Sequence, residues 1–180
     1  MTDHITRYDL MPIPPVEART SWFDAGAVRI GVEYRLLNDA IAAAASTESA
    51  AGGDSSGGMS FDDRGVALHV CAADGERHEH LRFDCFEEDP HYHYVSWKEK
   101  TNEMLHLDPI ADGDPLAWAL ERIRTRLPQM LSRAGAPELA ARVDVRTLEA
   151  VLPRVADAAY RARYDEDEAG VLRDALEPTK

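Results

Sequence analysis

Two β-type runs joined by an Asp-Gly pair limit the possible folds of this chain more than any other feature. The runs cover Val66–Ala72 and Arg77–Phe86, and Asp74 and Gly75 stand between them. A type I′ turn needs two residues at positive φ, and Asp-Gly is a preferred pair for it. The sequence therefore predicts an antiparallel hairpin with Asp74 and Gly75 as its two turn residues.

Further strands are predicted on both sides of this hairpin. Alternating apolar and charged residues at Ala27–Arg35 indicate a possible N-terminal strand. After a turn at Glu87–Pro90, strands are expected at His91–Lys98 and Glu103–Leu107, and the periodicity then becomes helical. We therefore expect an α+β fold, in which an antiparallel β-meander of about four strands, plus the possible N-terminal strand, packs against C-terminal helices.

The C-terminal half carries clear helix signals. Asp114 and Pro115 form a helix start, in which an N-cap residue precedes a proline at the first helical position. Pro128 is expected to kink or end this helix, because proline removes a backbone donor. Asp144 caps a further helix, which the acidic run Asp165–Glu168 is expected to break.

The chain of 180 residues suits one domain with an N-terminal appendage. Residues 1–21 are predicted to form an extended arm, because the prolines in Met11–Pro15 disfavour helix. Such an arm is either frayed or laid across a neighbouring surface. Residues 22–180 are predicted to form a single α+β domain, within which the Ser/Gly/Ala-rich residues 46–58 form a flexible loop.

The composition excludes several classes of partner. The net charge is −13, so phosphate backbones and anionic lipid repel the chain, and we expect no nucleic-acid partner and no membrane association. Met1–Leu10 is polar and does not resemble a signal peptide, and no apolar run has the length of a membrane span. Cys71 and Cys85 fall on opposite faces of the predicted hairpin, which disfavours a disulfide between them. A cytoplasmic protein with free thiols is therefore predicted.

Histidines concentrate in the predicted sheet, since six of the seven lie between positions 69 and 106. Counting outward from the predicted turn places His69 opposite His80 and Cys71 opposite His78. Opposite residues share a face of the sheet, and successive residues alternate between faces. These four side chains and Arg82 then share a polar face, whereas the alternate residues form an apolar face that suits a core.

This polar face is a candidate metal site. A four-residue loop at Glu87–Pro90 places Asp84 opposite His93, and it brings His91 to the same face. Imidazoles on facing strands can converge on a metal at about 2.0–2.1 Å. The predicted ligands of a divalent transition metal, zinc or iron, are His69, His78, His80 and His93. The residues predicted to bind a ligand beside it are Arg82, Cys71, Asp84, His91, Tyr92 and Tyr94. The same pattern also fits a polar surface that is stabilised by cross-strand pairs.

Two segments of the sheet region resemble the core of an uncharacterised family of small bacterial proteins. They are Leu81-Arg-Phe-Asp-Cys-Phe86 and Pro90-His-Tyr-His-Tyr94. The stretch from Asp108-Pro109 to Leu116-Ala-Trp-Ala-Leu120 is similar too, so that the resemblance covers about residues 28–145. The resemblance implies no activity and transfers no functional residues.

Three functional hypotheses follow. The first is a small binding or accessory protein that self-associates or docks on a protein partner through its N-terminal arm. The second is a metal-dependent enzyme that acts on a small molecule, with Arg82 binding an anionic group by a bidentate contact. The third is a pH- or redox-responsive regulator that uses the histidines and Cys71.

Overall fold

A computed structural model describes residues 5–37 and 63–176 of the chain. Seven antiparallel strands form one sheet in the order β1-β7-β6-β5-β4-β3-β2. Strands β2 to β7 follow one another as a meander, and β1 pairs with β7 at the far edge. The strands are β1 (Ile5–Tyr8), β2 (Thr20–Ala25), β3 (Val28–Leu36), β4 (Arg64–Ala72), β5 (Glu79–Phe86), β6 (His91–Ser96) and β7 (Thr101–His106).

Three helices follow the sheet: α1 (Pro115–Arg133), α2 (Pro137–Ala141) and α3 (Val145–Leu176). Asp114 caps α1, because its side chain accepts a 2.8 Å hydrogen bond from the backbone N–H of Ala117. Helices α1 and α3 contact one face of the sheet. The core between the helices and the sheet includes Ile30, Leu68, Val70, Leu81, Phe83, Leu116, Ile123, Leu127, Leu148 and Val155. None of the helices in the described ranges is apolar over a length that could cross a membrane.

The α+β class is confirmed, but the predicted number of about four strands is wrong. The five strands from β3 to β7 correspond to the predicted four and the possible N-terminal strand, and β1 and β2 are additional. All four residues of β1 are exposed, so this strand has no apolar face that could produce an alternating pattern. In β2 the large apolar residues Trp22 and Phe23 are adjacent, which hides the period of two.

The predicted pairing inside the hairpin is also wrong, although the faces are unchanged over most of it. His69 lies opposite Arg82, and a bulge between Val70 and Cys71 places Cys71 opposite Glu79. The turn is longer than two residues: it spans residues 73–78, with positive φ at Gly75 and at Arg77. From Gly65 to Val70 the pairing is shifted by two residues, so the residues of that stretch keep their faces. At the bulge the shift is one residue, and Glu79 joins the polar face.

The predicted helix boundaries need two corrections. Pro128 does not end helix α1, which continues to Arg133 because Met130 and Leu131 beyond the proline are buried in the core. Helix α3 runs without interruption through the acidic residues 165–168. That run contains charge but no proline or glycine, so its backbone accepts a helix. The predicted loop at residues 46–58 lies outside the described residues.

Residues 5–21 of the predicted arm lie on the sheet of their own chain. Strands β1 and β2 are at opposite edges of the sheet, so the connection between them must cross one face. It crosses the polar face, where Ile13 and Pro14 contact arginines of β3 and β5. The segment formed by residues 9–16 is called the crossing segment below.

Candidate metal centre

A cavity of ≈ 460 Å³ lies between the polar face of the sheet and the crossing segment. The crossing segment contributes apolar side chains and the sheet contributes most of the charged ones. The lining residues used below are Leu10, Ile13, Arg35, Arg82, Asp84, Phe86, His91, His93, Asn102 and Met104.

Three potential metal ligands meet in this cavity. Asp84 on β5 pairs directly with His91 on β6, and His93 lies two residues further along the same strand. Each of Asp84, His91 and His93 offers one donor atom, and these atoms all lie within 4.8 Å of one another. Residues i and i+2 of a strand share a face, which is why the His91-Tyr-His93 spacing brings both imidazoles to one carboxylate.

Each imidazole is held by its Nδ1 atom. His91 Nδ1 lies 2.7 Å from the carbonyl oxygen of Asp89, and His93 Nδ1 lies 2.9 Å from the amide oxygen of Asn102. Both oxygens accept hydrogen bonds, so both Nδ1 atoms donate. A neutral ring that carries its proton on Nδ1 keeps a free lone pair on Nε2, which is the state that a metal requires.

The two Nε2 atoms face the same carboxylate oxygen. The distance to Asp84 Oδ2 is 3.4 Å from His91 and 3.2 Å from His93. Both distances exceed the roughly 2.7–2.9 Å of a charge-assisted N–H···O bond. Atoms bound to one metal at about 2.0–2.2 Å are about 3.0–3.4 Å apart when the angle between them is 90–109°. Both distances lie in the range of two ligands of one cation.

Asp84 is a buried carboxylate, 3% exposed, and its Oδ1 atom has no hydrogen-bond partner among the described residues. Burial alone would raise the pKa of Asp84, but the contacts with His91 and His93 and the charge of Arg82 hold it well below its usual range. Burial would likewise lower the pKa of His91, but Asp84 outweighs it and raises that pKa. The carboxylate is therefore ionised and available as a ligand.

A second histidine cluster on the same face is closed. His69 is fully buried, with Nδ1 2.6 Å from Glu79 Oε1 and Nε2 3.0 Å from Glu33 Oε2. Arg82 also bonds Glu79, at 2.6 and 3.0 Å. Burial would raise the pKa of Glu79, but Arg82 and His69 lower it to about 2. His69, Glu33, Glu79 and Arg82 are called the His69 network below.

The crossing segment is attached to the arginines of this face through its backbone. Arg35 donates to the carbonyl oxygens of Ile13 and Pro14, the latter at 2.8 Å. Arg82 donates to the carbonyl of Ile13 as well. These bonds hold the segment over the cavity.

The structure does not bring the four predicted metal ligands together. Among the described residues, no three of them place donor atoms within 4.8 Å of one another, and only His93 belongs to the triad. His69 lies in its own network. His78 stacks on Trp97 with ring centroids 3.7 Å apart. His80 lies beside His78, and burial and the charge of His78 lower its pKa.

The predicted ligand-binding residues separate into two groups. Arg82, Asp84 and His91 line the cavity. Tyr92 and Tyr94 pack with the core on the opposite face, since they alternate with the histidines of β6. Cys71 borders a separate cavity of ≈ 380 Å³ with Trp22 and Trp97. Burial and the charge of Glu79 raise its pKa to about 12, so it stays a thiol, and a thiolate mechanism finds no support.

The sequence analysis missed three side chains that hold the histidines of this face: Glu33, Glu79 and Asn102. Glu33 and Glu79 are charged residues in apolar-rich strands and are buried. A charged residue that falls on the polar face of a paired strand was the available signal for Glu33. No local signal marks Glu79, because only the bulge at Cys71 brings it beside His69.

The fold and the cavity define an α+β domain with a candidate metal centre under an N-terminal segment. The chain belongs to an uncharacterised family, because a family model described as "Domain of unknown function (DUF7700)" matches residues 22–159. This confirms the resemblance to an uncharacterised family. No curated protein and no solved structure matches the chain. A function must therefore be argued from the site.

Proposed function

We propose that the protein is a metal-dependent enzyme that acts on a small molecule, with zinc or iron(II) held by Asp84, His91 and His93. One observation carries the proposal. Both imidazoles present Nε2 to Asp84 Oδ2 at 3.2 and 3.4 Å, while carbonyl oxygens fix their Nδ1 atoms. This is the arrangement of two ligands whose outer partners set the tautomer.

The number of ligands supports catalysis over a structural role. Structural zinc sites are closed by four protein ligands, whereas catalytic sites keep open positions for water or substrate. Two histidines and one carboxylate are the ligand set of non-haem iron(II) enzymes and of several zinc hydrolases. Here the triad borders a cavity of ≈ 460 Å³, which is within the range of small-molecule sites.

The accessory-protein hypothesis has less support. It rested on the proline-rich N-terminal arm, which would dock on a partner or a second copy. The small size of the chain and the lack of a nucleophile–base motif in the sequence also supported it. In the described residues the arm pairs with β7 and bonds Arg35 and Arg82 of its own chain. Self-association and a protein partner stay predictions, and a cytoplasmic location is proposed on composition alone.

The proposal is tested by metal binding to the full-length, untagged protein. We would strip the protein with a chelator and titrate it anaerobically with Zn(II), Fe(II) and Co(II). One metal per chain is expected in the wild type. In His91→Ala and Asp84→Asn, the affinity should fall by more than about 100-fold, because losing an outer partner alone costs about 10–100-fold.

The matched control is His80→Ala. Like His91, His80 is a half-buried histidine, but it lies on β5 and outside the triad. It should keep the wild-type affinity. Loss of the metal in His80→Ala but not in His91→Ala would support the four-histidine set instead. A wild type that binds no more metal than a double variant, His91→Ala/Asp84→Asn, would refute the proposal.

A further inference from the structure

The turn Glu87–Pro90 between β5 and β6 carries the atom that orients His91. The carbonyl oxygen of Asp89 accepts a hydrogen bond from His91 Nδ1 at 2.7 Å. The ring of His91 also packs edge-on against Phe86, with ring centroids 5.7 Å apart. An apolar contact restricts a ring but does not distinguish its two nitrogens. The Asp89 carbonyl therefore sets which nitrogen of His91 faces Asp84.

Two backbone donors of this turn bind one side chain, that of Asp63, which directly precedes β4. Asp63 Oδ1 accepts a hydrogen bond from the N–H of Glu88 at 3.2 Å, and Oδ2 accepts one from the N–H of Asp89 at 2.9 Å. Oδ1 also accepts the N–H of Arg64 at 2.8 Å. Asp63 is only 8% exposed, so water competes little for these charge-assisted bonds.

The other backbone donors of the turn do not replace Asp63. The N–H of Glu87 donates to the carbonyl oxygen of Arg64 at 3.0 Å, and Pro90 has no N–H. Each N–H of the turn therefore binds at the start of β4, and two of the three bind the carboxylate of Asp63.

Two further contacts restrain the turn from the side of β7. The carbonyl oxygen of Pro90 accepts a hydrogen bond from Leu107 at 2.9 Å, which fixes the start of β6. The side chain of Asp89 lies 2.6 Å from His106, but these two side chains are 57% and 37% exposed, and such surface pairs contribute little. The backbone of Asp89 itself is held by Asp63 through its N–H.

We propose that Asp63 is a positioning residue for the metal centre. It fixes the Asp89 carbonyl through the backbone of the turn, and that carbonyl directs His91 Nε2 towards the metal. This inference rests on the proposed metal site. It follows from the continuous series of hydrogen bonds that joins Asp63, Asp89 and the His91 ring.

The test uses the full-length protein loaded with Co(II). Imidazoles bound to Co(II) through Nε2 show their Nδ1–H protons as strongly shifted, solvent-exchangeable NMR signals, and the wild type should show one from His91 and one from His93. In Asp63→Asn an amide N–H2 replaces one acceptor oxygen, so a turn N–H loses its partner. The His91 signal should then broaden or disappear, the His93 signal should persist, and Co(II) affinity should fall about tenfold.

Two further variants make this result specific. Asn102→Ala removes the partner of His93 Nδ1 and thereby identifies the other signal. Asp114→Asn is the matched control, because Asp114 also accepts a backbone N–H, that of Ala117 at the start of α1. It should keep both signals and the wild-type affinity. If Asp63→Asn behaves as the wild type, or disturbs both signals equally, this inference fails and the metal site stands. If the wild type binds no Co(II), both fail.

Hydrogen exchange in the wild type provides a test that does not depend on the folding of Asp63→Asn. Coupling between two sites is reciprocal, so a turn that supports metal binding is itself stabilised by the metal. Saturating Zn(II) should slow amide exchange at Glu88 and Asp89 by a larger factor than at Ala117. Equal effects at the turn and at Ala117 would overturn the inference.

Discussion

His69 and His93 are buried histidines on the same sheet face, yet their surroundings are opposite. His69 has a carboxylate oxygen at hydrogen-bond distance from each ring nitrogen, at 2.6 and 3.0 Å. His93 Nδ1 bonds the amide oxygen of Asn102, and its Nε2 lies 3.2 Å from Asp84 Oδ2. Each nitrogen of the first ring has its own carboxylate partner, whereas Nε2 of the second ring shares Asp84 Oδ2 with Nε2 of His91.

This difference separates structure from function on one surface. Buried polar groups are normally satisfied, so the His69 network needs no ligand to explain it. In the triad, Asp84 Oδ1 lacks a partner within the described part of the chain and two Nε2 atoms share one oxygen. Water, an ion or a ligand can satisfy such a buried group, and here the group stands beside two imidazoles. The His69 network then fixes β3, β4 and β5 in the register that aims Asp84 into the cavity.

The largest effect that we expect from this difference is a loss of stability in the His69→Leu variant of the metal-free protein. This change leaves Glu33 and Glu79 buried without their shared imidazole. We expect the free energy of unfolding at pH 7 to fall by about 3–5 kcal/mol, as when one partner of a buried ion pair is removed. Urea denaturation measures it.

The matched control is His93→Leu, which removes a histidine from the same face. It removes the hydrogen bond to Asn102 and the contact with Asp84, and it should cost about 1–3 kcal/mol without metal. Equal losses in the two variants would contradict the distinction between a closed and an open cluster.

The next effect concerns pH. The pKa of Glu79 is about 2 in the folded protein and starts from 4.5. Since the folded pKa is depressed, the stabilisation from Glu79 is present above about pH 4.5 and disappears as the pH falls towards 2. One pKa unit corresponds to about 1.4 kcal/mol, so the folded protein should lose roughly 3 kcal/mol of stability when Glu79 is protonated. His69, Arg82 and Glu33 are the charged groups that share this network.

Urea denaturation between pH 7 and pH 2.5 measures this loss. Glu79→Gln should flatten the slope of stability against pH below pH 4.5. Glu76→Gln removes an exposed carboxylate of the neighbouring turn, outside the network, and serves as the control. A wild-type slope in Glu79→Gln would show that the network does not hold this carboxylate ionised.

The faces of the sheet were predictable from the sequence, but the contacts on them were not. Alternation assigns the residues of β4 and β5 to faces correctly where the register differs from the predicted one by an even number, which is the case from Gly65 to Val70. It fails for Glu79, beside the bulge. Which residues lie opposite one another depends on the length of the turn. The turn is longer than predicted and includes Arg77 at positive φ, which no sequence signal indicates. His93 was therefore named as a metal ligand, whereas Asp84 and His91 were named as ligand-binding residues.

The rest of the site depends on long-range contacts. The crossing segment covers the cavity only because β1 and β2 lie at opposite edges of the sheet. Neither strand has an alternating pattern, and the β1–β7 pairing joins residues about a hundred positions apart. Periodicity reports local structure, so it could not place Ile13 over Arg82.

The smallest effect is expected at Asn102, whose side chain tests whether the triad is oriented for a metal. Asn102→Ala removes the acceptor for His93 Nδ1, so the ring can rotate or change tautomer, and Co(II) affinity should fall by about 10–100-fold. Asn102→Asp keeps an acceptor oxygen at the same place and should retain the affinity. Competition with a chelator measures both variants. An Asn102→Ala protein that binds Co(II) as tightly as the wild type would mean that the Nδ1 contact is only packing, and the open cluster would lose its strongest resemblance to a metal site.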